Sequence, residues 1–178
     1  CEGEKTEPNY FKSFKVNRDV TKLEIKGLGM NTDSLVKDAI EIRDSRQKEK
    51  DIKYDQCWCV FDRDSFKAEN FNRAIELARR NNFKVAYSNE AFELWYYLHF
   101  HYLDTGITRE QYCEKLCVFL KKEYKKNCVS IYEELKDKQK TAIKNAETLL
   151  TKYNPSNPEA DKPSTTVHFL VAELNKCL

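Results

Sequence analysis

Asp62 and Asp64 stand two residues apart, directly after the apolar run Cys57-Trp58-Cys59-Val60-Phe61. In an extended segment, residues two apart point to the same side. Both carboxylates can therefore face one cation while Arg63 turns away. Like charges so close repel, and a divalent cation is the usual reason to hold them together. Hard oxygen ligands favour magnesium or manganese over zinc. An isolated Asp-x-Asp is more often an exposed turn or a helix cap. Here an apolar, strand-like run delivers it, and a second acidic group, Glu2 with Glu4 and Glu7 behind it, closes another such segment. Glu90 and Glu93 follow a third. Glu93 is the better ligand candidate of that pair. It lies between Phe92 and Leu94-Trp95, where a buried carboxylate needs a partner. Glu7 has a plainer reading as a residue favoured at a helix N-terminus. Lys5 and Arg63 are the candidates for phosphate contact, against an ordinary solvated role for each.

To gather these groups, the chain needs strands whose ends lie side by side. Cys1 to Lys5 reads as the exit of a strand and a turn, with a hydrophobic strand expected before Cys1. Thr6 is a good N-cap for a helix to about Lys15, with Tyr10, Phe11 and Phe14 on its apolar face. Lys22 to Leu28 alternates as a strand does and is closed by Gly27 and Gly29. Asn31 or Thr32 caps a charged helix with the stripe Leu35, Val36, Ala39, Ile40 and Ile42. A strand over Cys57 to Phe61 is followed by a helix from Ala68 to Arg80, a strand from Phe83 to Tyr87, and an apolar helix from Ala91 to Phe100. Such alternation predicts an α/β fold with a parallel four-stranded sheet flanked by helices. Ligands sit beyond the carboxyl ends of strands in such sheets. This core spans residues 1–103. Residues 104–178 read as a helical extension packed on it: Thr108 to Tyr124, Ser130 to Tyr153, a proline-containing loop from Asn154 to Thr166, and a last helix capped by Thr166.

The chain has 31 basic and 29 acidic residues among 178, a net charge of +2. Global charge therefore exerts no pull on nucleic acid, and any attraction rests on a local patch, such as Lys121, Lys122, Lys125 and Lys126, or on bound metal. The seven cysteines are odd in number and no secretory segment is visible, so reduced thiols in the cytoplasm are expected. No CxxC pair exists, and His99, His101 and His168 lie far in sequence from the closely spaced Cys57 and Cys59 and Cys113 and Cys117, which argues against zinc. No apolar run is long enough to span a bilayer, so no membrane is expected.

Four ordered motifs carry a family resemblance. Cys1-Glu2-Gly3-Glu4-Lys5-Thr6-Glu7-Pro8 resembles the opening of the RloB family, which belongs with Toprim domains. Trp58-Cys59-Val60-Phe61-Asp62-Arg63-Asp64 resembles its Asp-x-Asp strand. Ser88-Asn89-Glu90-Ala91-Phe92-Glu93-Leu94-Trp95 with His99-Phe100 is similar to its third motif, and Pro163-Ser164-Thr165-Thr166-Val167 with Leu170-Val171 to its last. The resemblance implies a Toprim-like core in which Glu2, Asp62 and Asp64 hold one or two Mg2+ or Mn2+ ions. The related overcoming-lysogenization-defect nucleases share a Glu-Gly-…-Thr-Glu opening. This brings Glu7 into the site, although the spacing here is one residue longer. It also implies metal-dependent endonuclease or phosphodiesterase activity on DNA or RNA, as an effector of bacterial phage defence working beside an ABC- or AAA-type ATPase.

Two other readings compete with the nuclease. One is a catalytically silent module that senses a phage signal or docks on the ATPase, which need not bind magnesium. The other is a phosphatase of the haloacid-dehalogenase type, which leaves Glu2-Gly3 unexplained and lacks the expected small-residue loop.

Overall fold

The structure is a computed structural model, and it describes residues 1–17, 19–29, 32–63 and 68–178. Its centre is a βαβ unit. Strand β1 (Cys57–Asp62) leads through helix α3 (Ala68–Arg80) to strand β2 (Phe83–Asn89), which pairs with β1 in parallel, Asp62 opposite Ser88. A two-residue strand, β3 (Ser164–Thr165), adds antiparallel to the far side of β2. The period of two along β1 divides the core. Cys59 and Phe61 enter one cluster, with Leu35 and Val36 of helix α2 (Thr32–Lys50) and with Phe71, Ala74, Ile75 and Ala78 of α3. That α3 spacing puts all four on one helical face. Val60 and, on β2, Ala86 enter the opposite cluster. There they meet Tyr10 and Phe11 of α1 (Thr6–Lys12), helix α4 (Glu93–Leu98), and the helices α5 (Arg109–Leu120), α6 (Ile131–Leu135), α7 (Gln139–Leu150) and α8 (Val167–Asn175). Both faces of the sheet are covered, which accounts for strands that are apolar on both sides.

The α/β class holds, but the sheet departs from the expected four parallel strands. Among the described residues it has three, and only β1 and β2 run parallel. Neither Cys1–Glu2 nor the alternating segment 22–28 forms a strand, though both lie where strands were expected. Glu2 N donates to Val60 O at 2.8 Å, and Leu28 N and Gly29 N donate to the carbonyls of Cys1 and Glu2 at 3.0 and 2.9 Å. The ladder does not extend because Glu2 turns its carbonyl toward Gly29, and its side chain takes the next donor of β1.

Capping differs from the expectation at two threonines. Thr6 lies inside α1 and its hydroxyl donates to Asn127 Oδ1, while the N-cap is Lys5 without a side-chain bond. Thr166 does precede α8, but its hydroxyl accepts from Tyr87 N and donates to Val85 O, tying the helix start to β2. Helix α1 stops at Lys12, short of Lys15. The expected helix from Ser130 to Tyr153 is interrupted by a 3-10 turn at Lys136–Lys138. Buried Leu135, Gln139, Ala142, Ala146 and Leu149 keep helical spacing across the break, so periodicity carries no sign of it. Of the two caps expected for α2, Asn31 lies outside the described residues and Thr32 is the first residue of the helix. No helix among the described residues is long and apolar enough to cross a membrane.

Candidate functional site

Asp62 is the last residue of β1, and three separate elements converge on it. Its backbone N–H donates to Glu2 Oε2 at 2.9 Å. Its own Oδ2 accepts the backbone N–H of Phe92, just before α4, at 3.0 Å. The guanidinium of Arg109, the first residue of α5, places Nη2 3.7 Å from the same Oδ2. The side chain of Asp62 is 13% exposed, and its Oδ1 is sealed from solvent with no hydrogen-bond partner among the described residues.

Glu7 and Glu93 stand behind this pair, both buried. Glu7 folds back from the first turn of α1, and Gly3 N donates to its Oε1 at 3.4 Å. A Cβ on Gly3 would lie 2.1 Å from Glu7 Oε2, so a side chain there would displace the Glu7 carboxylate. Glu93 opens α4, and the hydroxyl of Tyr124 donates to its Oε1 at 3.2 Å.

Withdrawal from water raises the Asp62 carboxyl well above the usual carboxylate range, and the charges of Glu7, Glu93 and Glu2 push it further; the Phe92 N–H opposes them. Glu7 is raised first by burial, with Glu93 adding to it and the Gly3 N–H pulling back. Two carboxyls thus sit where the charged form is costly. Such perturbation at a strand exit marks functional sites more often than chance.

The structure brings Glu2, Glu7, Asp62 and Glu93 into one electrostatic group. Asp64 lies outside the described residues. Lys5 is exposed at the N-cap of α1. Arg63 is half-buried, and its backbone N–H donates to Ser88 O at 2.8 Å. Glu90 is ion-paired with Lys162. Sequence reasoning missed Arg109 and Tyr124, both from the region read as a helical extension. One signal was available for Arg109. Thr108 and Gln111 form a capping box, with Gln111 N to Thr108 Oγ1 at 3.3 Å and Thr108 N to Gln111 Oε1 at 2.9 Å. That motif puts Arg109 at a helix N-terminus, where a cation opposes the helix dipole.

As to metal, no three described His, Cys, Asp or Glu side chains come close enough together to hold an ion. The chemistry of the donors nonetheless suits one. They are carboxylate oxygens alone, they repel one another, and Asp62 Oδ1 is a buried acceptor in search of a charge. Hard oxygen donors of this kind fit magnesium or manganese. Two cavities among the described residues lie elsewhere. A groove of about 1430 Å³ runs past Phe14, Val16, Leu23, Trp58, Leu170 and Leu174, and none of the four carboxylates lines it. The carboxylates supply convergent polar groups, which a ligand site needs as well as volume.

A family model described as RloB-like protein matches residues 1–174. No curated protein and no solved structure matches the chain.

Proposed function

This chain belongs to the RloB-like family, and from that membership together with the carboxylate group we propose a metal-dependent phosphodiesterase that cuts nucleic acid. The observation that carries this reading is the junction of Glu2 and Asp62. Two acidic residues from distant parts of the sequence are held against each other by a backbone hydrogen bond, at a cost in repulsion that a cation would remove. On this reading the core is Toprim-like. Glu2 and Asp62 would hold Mg2+ or Mn2+ together with Asp64, which lies outside the described residues, and Glu7 and Glu93 would add negative charge beside them. A divalent cation bound there supplies charge neutralisation for a substrate phosphate and a more acidic water. The chain's own residues do the rest. The Phe92 N–H fixes the Asp62 carboxylate, the Gly3 N–H fixes Glu7, and Tyr124 fixes Glu93, so the acidic groups are oriented before substrate arrives. Glu2 faces the strand exit and is a candidate to hold a proton in transit. The family resemblance supports a role in bacterial phage defence with an ATPase partner.

The test is cleavage of DNA, total RNA and tRNA by the purified protein, with and without manganese and with any ATPase partner present. Cutting that needs the cation and disappears in Asp62→Asn is the expected result. A second reading is a silent module that senses a signal or docks on an ATPase and need not bind a cation. Calorimetric titration with Mn2+ separates the two, since only the nuclease requires binding that depends on Asp62.

A further inference from the structure

Cys1 and Glu2 occupy one end of a slot that is one strand wide. Cys1 N donates to Lys26 O at 2.7 Å and its carbonyl accepts Leu28 N at 3.0 Å, the bonding of a parallel pair. One residue on, Glu2 N turns the other way and donates to Val60 O at 2.8 Å. The two residues therefore lie between β1 and segment 22–28 and bond to both, as a central strand does. Away from this end the two edges face each other without a partner between them. Along β1, alternate amides face β2, as Arg63 N to Ser88 O shows, so those of Trp58 and Val60 face the slot. Among the described residues no backbone bond reaches Trp58 N, Trp58 O or Val60 N on that side, nor Glu24 N, Glu24 O or Lys26 N opposite. Val60 is buried, and buried backbone groups are paired in folded proteins. The slot is apolar on both faces of the sheet. A cavity of about 190 Å³ reaches Leu35 and Ala39 of α2, and the groove of about 1430 Å³ reaches Phe14 and Val16 in the opposite cluster.

We infer that this slot takes one extended apolar strand, parallel to β1 and covalently continuous with the Cys1 nitrogen. The inference stands apart from the phosphodiesterase reading, and neither depends on the other. Continuity follows from register. Glu2 lies opposite Phe61 and Cys1 opposite Gly27. The next residue toward the amino side then falls opposite Cys59, where its N–H would donate to Trp58 O and its carbonyl would accept Val60 N. About four residues in this register would satisfy every open group of Trp58, Val60, Glu24 and Lys26. Their side chains would alternate between the two cavities, which asks for an apolar residue at every position, as in a buried parallel strand. Burial lowers the Cys1 amine below its ordinary value, whereas a peptide nitrogen makes the same bond to Lys26 O without a charge. Such a strand ends at Glu2, so filling the slot also fixes the residue that meets Asp62.

The experiment compares three proteins: the chain 1–178, the same chain with about five alternating valines and isoleucines joined before Cys1, and a version of that extension with proline immediately before Cys1. Amide hydrogen exchange at Trp58 and Val60 and thermal melting are the readouts. The apolar extension should slow both amides about a hundredfold and raise the melting temperature by about 10 °C. The proline version lacks the donor for Trp58 O and should forfeit most of both gains. Folding of the extended chain where 1–178 fails to fold supports the inference as a rise in melting temperature does. No gain in the extended chain would overturn it. An equal gain from the proline version would also overturn it, because general apolar burial and not strand pairing would then be the cause. Protection of Trp58 and Val60 in 1–178 that fades on dilution would put a second copy in the slot, and would overturn it as well.

Discussion

The carboxylate of Glu2 accepts the backbone N–H of Asp62 at 2.9 Å, in the place where the carbonyl of a further parallel strand would otherwise serve. Glu2 is thus both an acidic group of the candidate site and the acceptor that closes the exit of β1. The two roles separate by substitution. Glu2→Ala leaves the half-buried Asp62 N–H without its acceptor, and should cost about 1–3 kcal/mol of stability. Glu2→Gln keeps an acceptor oxygen and should cost less than half of that, while losing cleavage as fully as the alanine variant. Urea denaturation and a cleavage assay on the same preparations check it. Equal stability loss in both variants would show that the charge, and not the acceptor, holds the strand exit.

Asp62 gives the opposite balance. Its carboxyl is raised by withdrawal from water and by the charges of Glu7, Glu93 and Glu2, so neutralising it relieves repulsion in the metal-free protein. Asp62→Asn retains an acceptor for Phe92 N–H and should melt at or above the wild-type temperature. Asp62→Ala forfeits that bond and should fall about 1–3 kcal/mol below Asp62→Asn. Both should lose cleavage about a hundredfold or more. An asparagine variant that melts well below wild type would mark Asp62 as a structural anion paired with Arg109.

Much of this site was legible in the sequence because its signals are local. The apolar run Cys57–Phe61 announces a buried strand, and an acidic residue at its end is where open α/β sheets carry chemistry. The α3 stripe Phe71, Ala74, Ile75 and Ala78 reads directly as a helix. Other features leave no such trace. Strand β3 has two residues, too few for any period, and exists because Ser164 and Thr165 meet Asn89 and Ser88 across a long connection. Segment 22–28 alternates like a strand and bonds to Cys1 through Lys26 O and Leu28 N, yet alternation reports which faces are buried and not whether such pairing extends into a strand. Arg109 and Tyr124 join the site through tertiary packing of α4 with α5 and the turn after it, and no spacing in the sequence encodes that.

The two buried histidines predict an acid-side weakness. His99 and His168 are both held down to about 4, chiefly by burial, against an ordinary value near 6.5. A base whose folded pKa is lowered is protonated first in the unfolded chain. Its stabilising effect is whole above pH 6.5 and is lost as pH falls from there toward 4, amounting to about 3 kcal/mol for each histidine. The raised carboxyls of Asp62 and Glu7 act in the reverse sense, favouring the fold as they become protonated. His168→Gln removes one histidine without touching the carboxylates. Its stability should change less steeply between pH 6.5 and 4 than wild type, by up to about 1 kcal/mol per pH unit. Chemical denaturation at half-unit pH steps is the measurement, and parallel curves for the two proteins would contradict the assignment.

Cation binding should appear as stability before it appears as activity. An ion that binds the native carboxylate group and not the unfolded chain stabilises the fold by RT ln(1 + [L]/Kd), about 2.7 kcal/mol at a hundred times Kd. For a chain of this size that corresponds to a rise in melting temperature of about 5–10 °C. Mn2+ should produce such a rise in the wild type, with Mg2+ acting in the same direction at higher concentration. In Asp62→Asn the rise should shrink to a small fraction, because the acceptor that replaces the carboxylate carries no charge. In Lys5→Ala it should persist, since Lys5 is an exposed cation at the start of α1 and contributes no ligand. This pairing separates site binding from a general ionic effect. A rise of equal size in the wild type and in Asp62→Asn would place the ion elsewhere on the molecule, and the carboxylate group would then owe its raised pKa values to burial and mutual repulsion alone.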